Sequence, residues 1–184
     1  AAMEELPQSS QLECAYADFL TRVRKRDTDA EAHYKRSVEL SPKDARCLIS
    51  YATFLAKTGE RNDEAEAHYQ RAIAADGSNA FHLTMYAHFL WTKRNRADEA
   101  EVHFKRAIEV ESNDAFSLKA YATFLERRGR MEEAESCYTR ATEANPNYGF
   151  GLNAYALFLQ GRGRMKEAES YHKRTIEADP TNAW

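Results

Sequence analysis

Glycine and proline are scarce in this 184-residue chain, at 7 and 4 residues, which leaves too few tight turns for an all-β fold. Cysteine is scarcer still. Cys14, Cys47 and Cys137 are odd in number and more than 30 residues apart. They offer neither a zinc-ligand spacing nor a disulfide framework, so a reducing setting, cytoplasmic or nuclear, is expected. No apolar run approaches the ~18 residues that a membrane-spanning helix requires, and no basic stretch leads into the apolar core of a secretory signal; no membrane partner is expected. A large excess of one charge is also missing. The 26 Lys and Arg stand against 29 Asp and Glu, a net charge of −3, which argues against a wholly electrostatic nucleic-acid binder. The chain has no Gly-rich phosphate loop, no His-Glu-x-x-His and no Gly-x-Ser-x-Gly, so neither an enzyme nor a cofactor is expected. With 43% hydrophobic residues, however, it has the material for a buried core.

That material is arranged in repeats. Tyr-Ala-x-Phe-Leu begins at Tyr16, Tyr51, Tyr86, Tyr121 and Tyr155, at steps of 35, 35, 35 and 34 residues. A second motif keeps step with it, opening on Ala30-Glu31, Ala65-Glu66, Ala100-Glu101, Ala134-Glu135 and Ala168-Glu169. Each unit reads as two helices, because Leu48, Tyr51, Ala52 and Leu55 keep one helical face and Ala65, Tyr69, Ala72 and Ile73 keep another. Gly59, Gly129 and Gly163 mark the turn inside a unit, while Ser41-Pro42, Asp76-Gly77, Asn145-Pro146 and Asp179-Pro180 mark the turns between units. Asp and Glu crowd the start of each second helix, as the helix dipole prefers. One such unit cannot bury its apolar faces alone, and stacking neighbours can.

On these residues the chain resembles a tetratricopeptide repeat (TPR) array. The match rests on the 34–35-residue period, on small Ala positions in both helices, and on the second-helix aromatics Tyr34, Tyr69, Phe104 and Tyr138. The closing prolines Pro42, Pro146 and Pro180 complete it. Leu48, Leu83, Leu118 and Leu152 depart from the family pattern, standing where Trp is common. The Tyr-Ala-x-Phe run also resembles the half-a-TPR (HAT) repeats of RNA-processing scaffolds. The expected fold is all-α, a right-handed α-solenoid of five TPR-like helix-turn-helix repeats spanning 10–43, 44–78, 79–113, 114–147 and 148–182. Residues 1–9 read as a tag or linker remnant. Residues 183–184 read as the start of a truncated sixth first helix, as in a fragment of a longer protein.

The resemblance implies a non-enzymatic protein-interaction scaffold whose first helices line a concave groove. The groove candidates are Arg46, Ile49, Thr53, Phe81, Thr84, Met85, His88, Phe116, Lys119, Thr123, Phe150, Asn153 and Leu157, facing an extended peptide or a helix. Phe81, Phe116 and Phe150 share one repeat position, with Trp184 next in the series; they are either a ligand-binding ladder or core between repeats. Only Arg46, Lys119 and Asn153 suit a clamp for a C-terminal carboxylate, which is too few to match that pattern. More than half of the 26 basic residues lie in the turns inside units, including Arg94, Arg96, Arg127, Arg128, Arg130, Arg162 and Arg164. This edge would either touch RNA in a HAT-like scaffold or pair with acids of the second helices. A third reading is self-association through the last helix (Met165, Tyr171, Ile176). His33, His68 and His103 recur 35 residues apart. Equivalent atoms of stacked helix pairs lie ~10 Å apart, too far to share one metal ion, so no metal site is expected.

Overall fold

A computed structural model describes residues 9–178 of the chain. The residues at both ends, with Pro180, Trp184 and the turn at Asp179, lie outside the described residues. Among the described residues every element is helical: α1 (Ser10–Phe19), extended by a π-helical turn (Leu20–Arg24), then α2 (Asp27–Leu40), α3 (Ala45–Thr58), α4 (Asn62–Ala75), α5 (Ala80–Lys93), α6 (Ala97–Val110), α7 (Ala115–Arg127), α8 (Met131–Ala144), α9 (Gly149–Gly161) and α10 (Met165–Ala178). The fold is all-α, built from adjacent helix pairs packed as repeats. The chain divides into two compact units at Ala100/Glu101, within α6.

The helix ends follow from local chemistry. Asp44, Asn79 and Asp114 cap α3, α5 and α7, their side chains accepting from the backbone N–H three residues on, in the last case at 2.9 Å. First helices end on a left-handed residue. Gly59, Gly129 and Gly163 take φ of 80°, 76° and 75°, and Lys25 and Asn95 do the same work with side chains at φ 52° and 54°. The chain then reverses, and the N–H of Arg26, Arg96, Arg130 and Arg164 bonds back to the carbonyl of the motif leucine at 3.0–3.1 Å.

In the first unit α1 packs on α2 and α3 on α4, while α1, α3 and α5 touch in succession. In the second unit α7 packs on α8, α9 on α10, and α7 touches α9. The alanines of both motifs, Ala17, Ala52 and Ala87 against Ala30 and Ala65, are fully buried, as are Ala122, Ala134 and Ala156 in the second unit. Small side chains here let helix backbones approach closely. Large rings fill the space between one pair and the next. Tyr34 stacks on Tyr51 at 5.6 Å and Tyr69 on Tyr86 at 5.6 Å in the first unit. Phe104 meets Tyr121 at 5.8 Å and Tyr138 meets Tyr155 at 5.7 Å in the second. Each second-helix ring also touches the motif phenylalanine, Phe54, Phe89, Phe124 or Phe158, at 4.9–5.3 Å. The shared Tyr-x-x-Phe spacing is therefore the seam between repeats.

Candidate functional site

The first-helix surface divides into side chains that reach solvent and side chains that do not. In the first unit Arg46, Thr53, Phe81 and His88 are exposed and Met85 is half-buried. Ile49 and Thr84 correct the sequence reading, because both are buried. They share one repeat position, on α3 and α5, which pack against each other. The Thr53 hydroxyl is engaged, bonded to the Ile49 carbonyl at 2.8 Å and to the Tyr69 hydroxyl at 3.0 Å. In the second unit Phe116, Lys119 and Thr123 on α7 are half-buried, while Phe150, Asn153 and Leu157 on α9 are exposed. Thr123 repeats the role of Thr53, meeting the Tyr138 hydroxyl at 3.1 Å.

Among the three rings of the candidate ladder, Phe81 is 46% and Phe150 66% exposed, so these two are not core. Phe150, Asn153 and Leu157 lie three and seven residues apart and share one face of α9. Beside them Tyr148, half-buried, leans on Phe150 at 6.2 Å. The sequence reading missed Tyr148, although an aromatic directly before a helix opening on Gly149-Phe150 was visible. It also missed Trp91, one turn from His88 and 5.9 Å from its ring. Lys119 has no carboxylate in ion-pair reach among the described residues, and burial pulls its ammonium pKa below the usual lysine value.

The candidate basic edge is largely neutralised. Arg61 donates to Glu64 on its own helix at 2.6 Å and to Glu31 of the preceding second helix at 2.7 Å. Arg96 makes the same pair of bonds to Glu99 and Glu66, Arg130 to Glu133 and Glu101, and Arg164 to Glu167 and Glu135. The carboxylate that joins two pairs also receives the motif tyrosine. Tyr51, Tyr86, Tyr121 and Tyr155 donate to Glu31, Glu66, Glu101 and Glu135 at 3.2–3.5 Å, long for such bonds. Arg94 adds bonds to Asp63 at 2.9 Å and Glu66 at 2.8 Å. Arg127, Arg128 and Arg162 are exposed. A clasp of Tyr, Arg and Glu thus locks each helix pair to the one before it. Its sequence signal, Arg four residues before each Ala-Glu, was on view, but only the fold shows that the bonds cross between pairs.

Two of the recurring histidines pack on neighbouring side chains. His33 Nδ1 sits 2.6 Å from Glu13, and the His68 ring lies 4.7 Å from Tyr51. Burial lowers the His68 pKa. Among the described residues no group of three His, Cys, Asp or Glu could hold a metal ion, and no helix is long and apolar enough to cross a membrane.

Family models described as "Tetratricopeptide repeat" match residues 22–80 and 120–148. No curated protein matches the chain by sequence. Among known structures it resembles TTC0263, a thermophilic TPR protein of Thermus thermophilus, at TM-score 0.79 and 18% identity, covering 95% of this chain and 93% of that one. Pseudomonas aeruginosa PilF follows at TM-score 0.75 and 17% identity, over 94% of this chain and 78% of the other. YrrB, described as a TPR protein with an unusual peptide-binding site, gives TM-score 0.57 and 20% identity over 92% and 86%. These likenesses are of fold.

Proposed function

The chain is a tetratricopeptide repeat protein, and from that premise we propose that it is a non-enzymatic scaffold binding a segment of a partner protein along its first helices. The observation that carries this reading is the face of α9, where Phe150 and Leu157 are 66% and 55% exposed on either side of Asn153. Side chains of this size left in water mark contact surfaces, and aromatic anchors with a few polar neighbours are what concentrate binding energy at interfaces. On α7, in contact with α9, Phe116 adds a second ring and Lys119 an unpaired cation for an acidic or polar group of the partner. In the first unit Phe81, Met85, His88 and Arg46 offer the same mixture. The partner segment is an extended peptide or a helix, and the peptide-binding site of YrrB, a structural neighbour, supports that class of ligand. A reducing compartment, cytoplasmic or nuclear, suits three free thiols that are all buried.

The test is a peptide-display selection on the immobilised chain, with affinities of the selected peptides then measured by fluorescence polarisation. The same measurement is made on Phe116→Ser/Phe150→Ser/Leu157→Ser after its melting temperature is shown to be unchanged. A loss of about tenfold or more in affinity, equal to about 1.4 kcal/mol, is expected. Equal binding by both proteins refutes the assignment to α7 and α9.

A further inference from the structure

Two of the three cysteines that the sequence scatters meet in the first unit. Cys14 lies on α1 and Cys47 on α3, 33 residues apart, and these two first helices pack directly against each other. Both thiols are buried, at 2% and 0% exposure. The Cys14 thiol donates to the Cys47 sulfur. Cys47 donates in turn to the Ser10 carbonyl at 3.7 Å, and its sulfur lies 3.4 Å from the Ser10 hydroxyl. Ser10 is one turn before Cys14 on the same face of α1. Backbone and side chains of α1 therefore both hold the Cys47 sulfur against that helix, beside the Cys14 sulfur. Cys137 belongs to the other unit, on α8.

The two thiols are not equivalent. The bond from Cys14 lowers the Cys47 pKa below the usual thiol value; burial opposes this and the Ser10 hydroxyl adds to it. The same bond, together with burial, pushes Cys14 up. A thiolate forms first on Cys47, and the thiolate is the reactive form. Among the described residues Ser9 makes no side-chain cap bond to α1, whereas Asp44 caps α3. The first turn of α1 lacks that support, and its local opening exposes Ser10 and the Cys47 sulfur bonded to it.

We propose that Cys14 and Cys47 form a reversible disulfide on reaction with a peroxide, tying the first helix pair to the second. The Cys47 thiolate attacks one oxygen of hydrogen peroxide. The O–O bond breaks, Cys47 is oxidised to a sulfenic acid, and the departing hydroxide takes the proton that Cys47 gave up, forming water. The Cys14 sulfur then attacks Cys47 Sγ and the S–O bond breaks. The departing hydroxide takes the Cys14 proton as a second water. Two thiols are oxidised by one peroxide, and a small thiol reverses the bridge by exchange. In a reducing compartment the bridge is accordingly transient. It lies in the first unit and is independent of partner binding on α7 and α9.

The test treats the native chain with hydrogen peroxide, blocks remaining thiols with a maleimide in urea, and maps unreduced peptides by mass spectrometry. The expected product is a monomer lighter by two hydrogen atoms, with a Cys14–Cys47 cross-linked peptide and Cys137 carrying the maleimide. Its melting temperature rises by about 5–10 °C, because the bridge restricts the unfolded chain, and dithiothreitol restores the original value. Cys14→Ala leaves Cys47 without its resolving thiol, so peroxide should carry Cys47 to sulfenic and then sulfinic acid. Cys47→Ala should leave Cys14 reduced. The mapping of the unaltered chain stands by itself if either variant fails to fold. Retention of all three thiols by the native chain overturns the proposal. So does oxidation of Cys47 to sulfinic acid in the unaltered chain without a bridge, which would mean that Cys14 does not reach it, or a bridge that involves Cys137 or a second copy.

Discussion

Glu101→Gln removes one charge from the middle of a clasp while leaving its shape nearly unchanged, so its effect measures what the charge contributes to joining α6 to α8. Glu101 accepts from Arg130 at 2.7 Å, Lys105 at 2.8 Å and Tyr121 at 3.2 Å. Burial raises its carboxyl pKa, but the bonds and charges of Arg130 and Lys105 outweigh burial and hold it down to about 2, against 4.5 in the unfolded chain. That gap, at about 1.4 kcal/mol per pKa unit, sets a ceiling of roughly 3.4 kcal/mol. The carboxylate is 18% exposed but its partners Arg130 and Lys105 are 32% and 56% exposed, so solvent screening reduces the share to about 1 kcal/mol. Urea unfolding followed by circular dichroism should show that loss at pH 7, with a melting temperature lower by about 2–4 °C. The control is Glu133→Gln, whose side chain is 58% exposed and touches the same arginine at 2.6 Å; solvent screening should make its loss clearly the smaller of the two. Because the folded pKa is depressed, the stabilisation is complete above pH 4.5 and is lost as pH falls through about 2, so the two proteins should converge in acid. The reasoning is refuted if Glu101→Gln costs no more than Glu133→Gln, or if the difference persists unchanged at pH 2.

Other outcomes follow from particular positions. Lys25→Gly relieves a side chain held at φ 52°. Left-handed backbone costs about 1 kcal/mol in a non-glycine residue, partly offset by the greater freedom of glycine when unfolded. The urea midpoint should therefore rise, and a lower midpoint would show that no strain is stored there. Tyr138→Phe removes a hydroxyl that donates to Glu126 at 2.8 Å and meets Thr123 at 3.1 Å, and should cost about 1 kcal/mol in the same assay. Cys14, Cys47 and Cys137 are 2%, 0% and 7% exposed. Mass spectrometry after treatment with a maleimide should find the native protein labelled far more slowly than the urea-unfolded one, which takes up three adducts; rapid native labelling would contradict the packing of α1 against α3.

The local structure was legible in the sequence because it depends on neighbours a few residues away. Tyr-Ala-x-Phe-Leu repeated every 34 or 35 residues sets one face of a first helix, and Ala30-Glu31 and its copies set the second helix. Gly59, Gly129 and Gly163 mark the reversals because they tolerate a backbone that other residues resist. The i,i+4 pairs Glu31–Lys35, Glu101–Lys105 and Glu169–Lys173 follow from helical spacing alone. Periodicity is a property of one helix, however, and exposure is a property of what lies against it. Ile49 and Thr84 sit on the same first-helix register as Lys119 and Asn153, yet only Ile49 and Thr84 are buried, so register alone does not decide which side chains keep water. The same limit applied to the arginines. Read along the chain, Arg96 and Arg130 formed a basic edge. Folded, each reaches a glutamate about 30 residues earlier that a tyrosine 20 residues beyond that glutamate also reaches. Bonds across such separations belong to the stacking of one helix pair on the next, so the sequence determined the repeat, and the tertiary structure alone decided which of its polar residues hold repeats together and which apolar ones stay exposed.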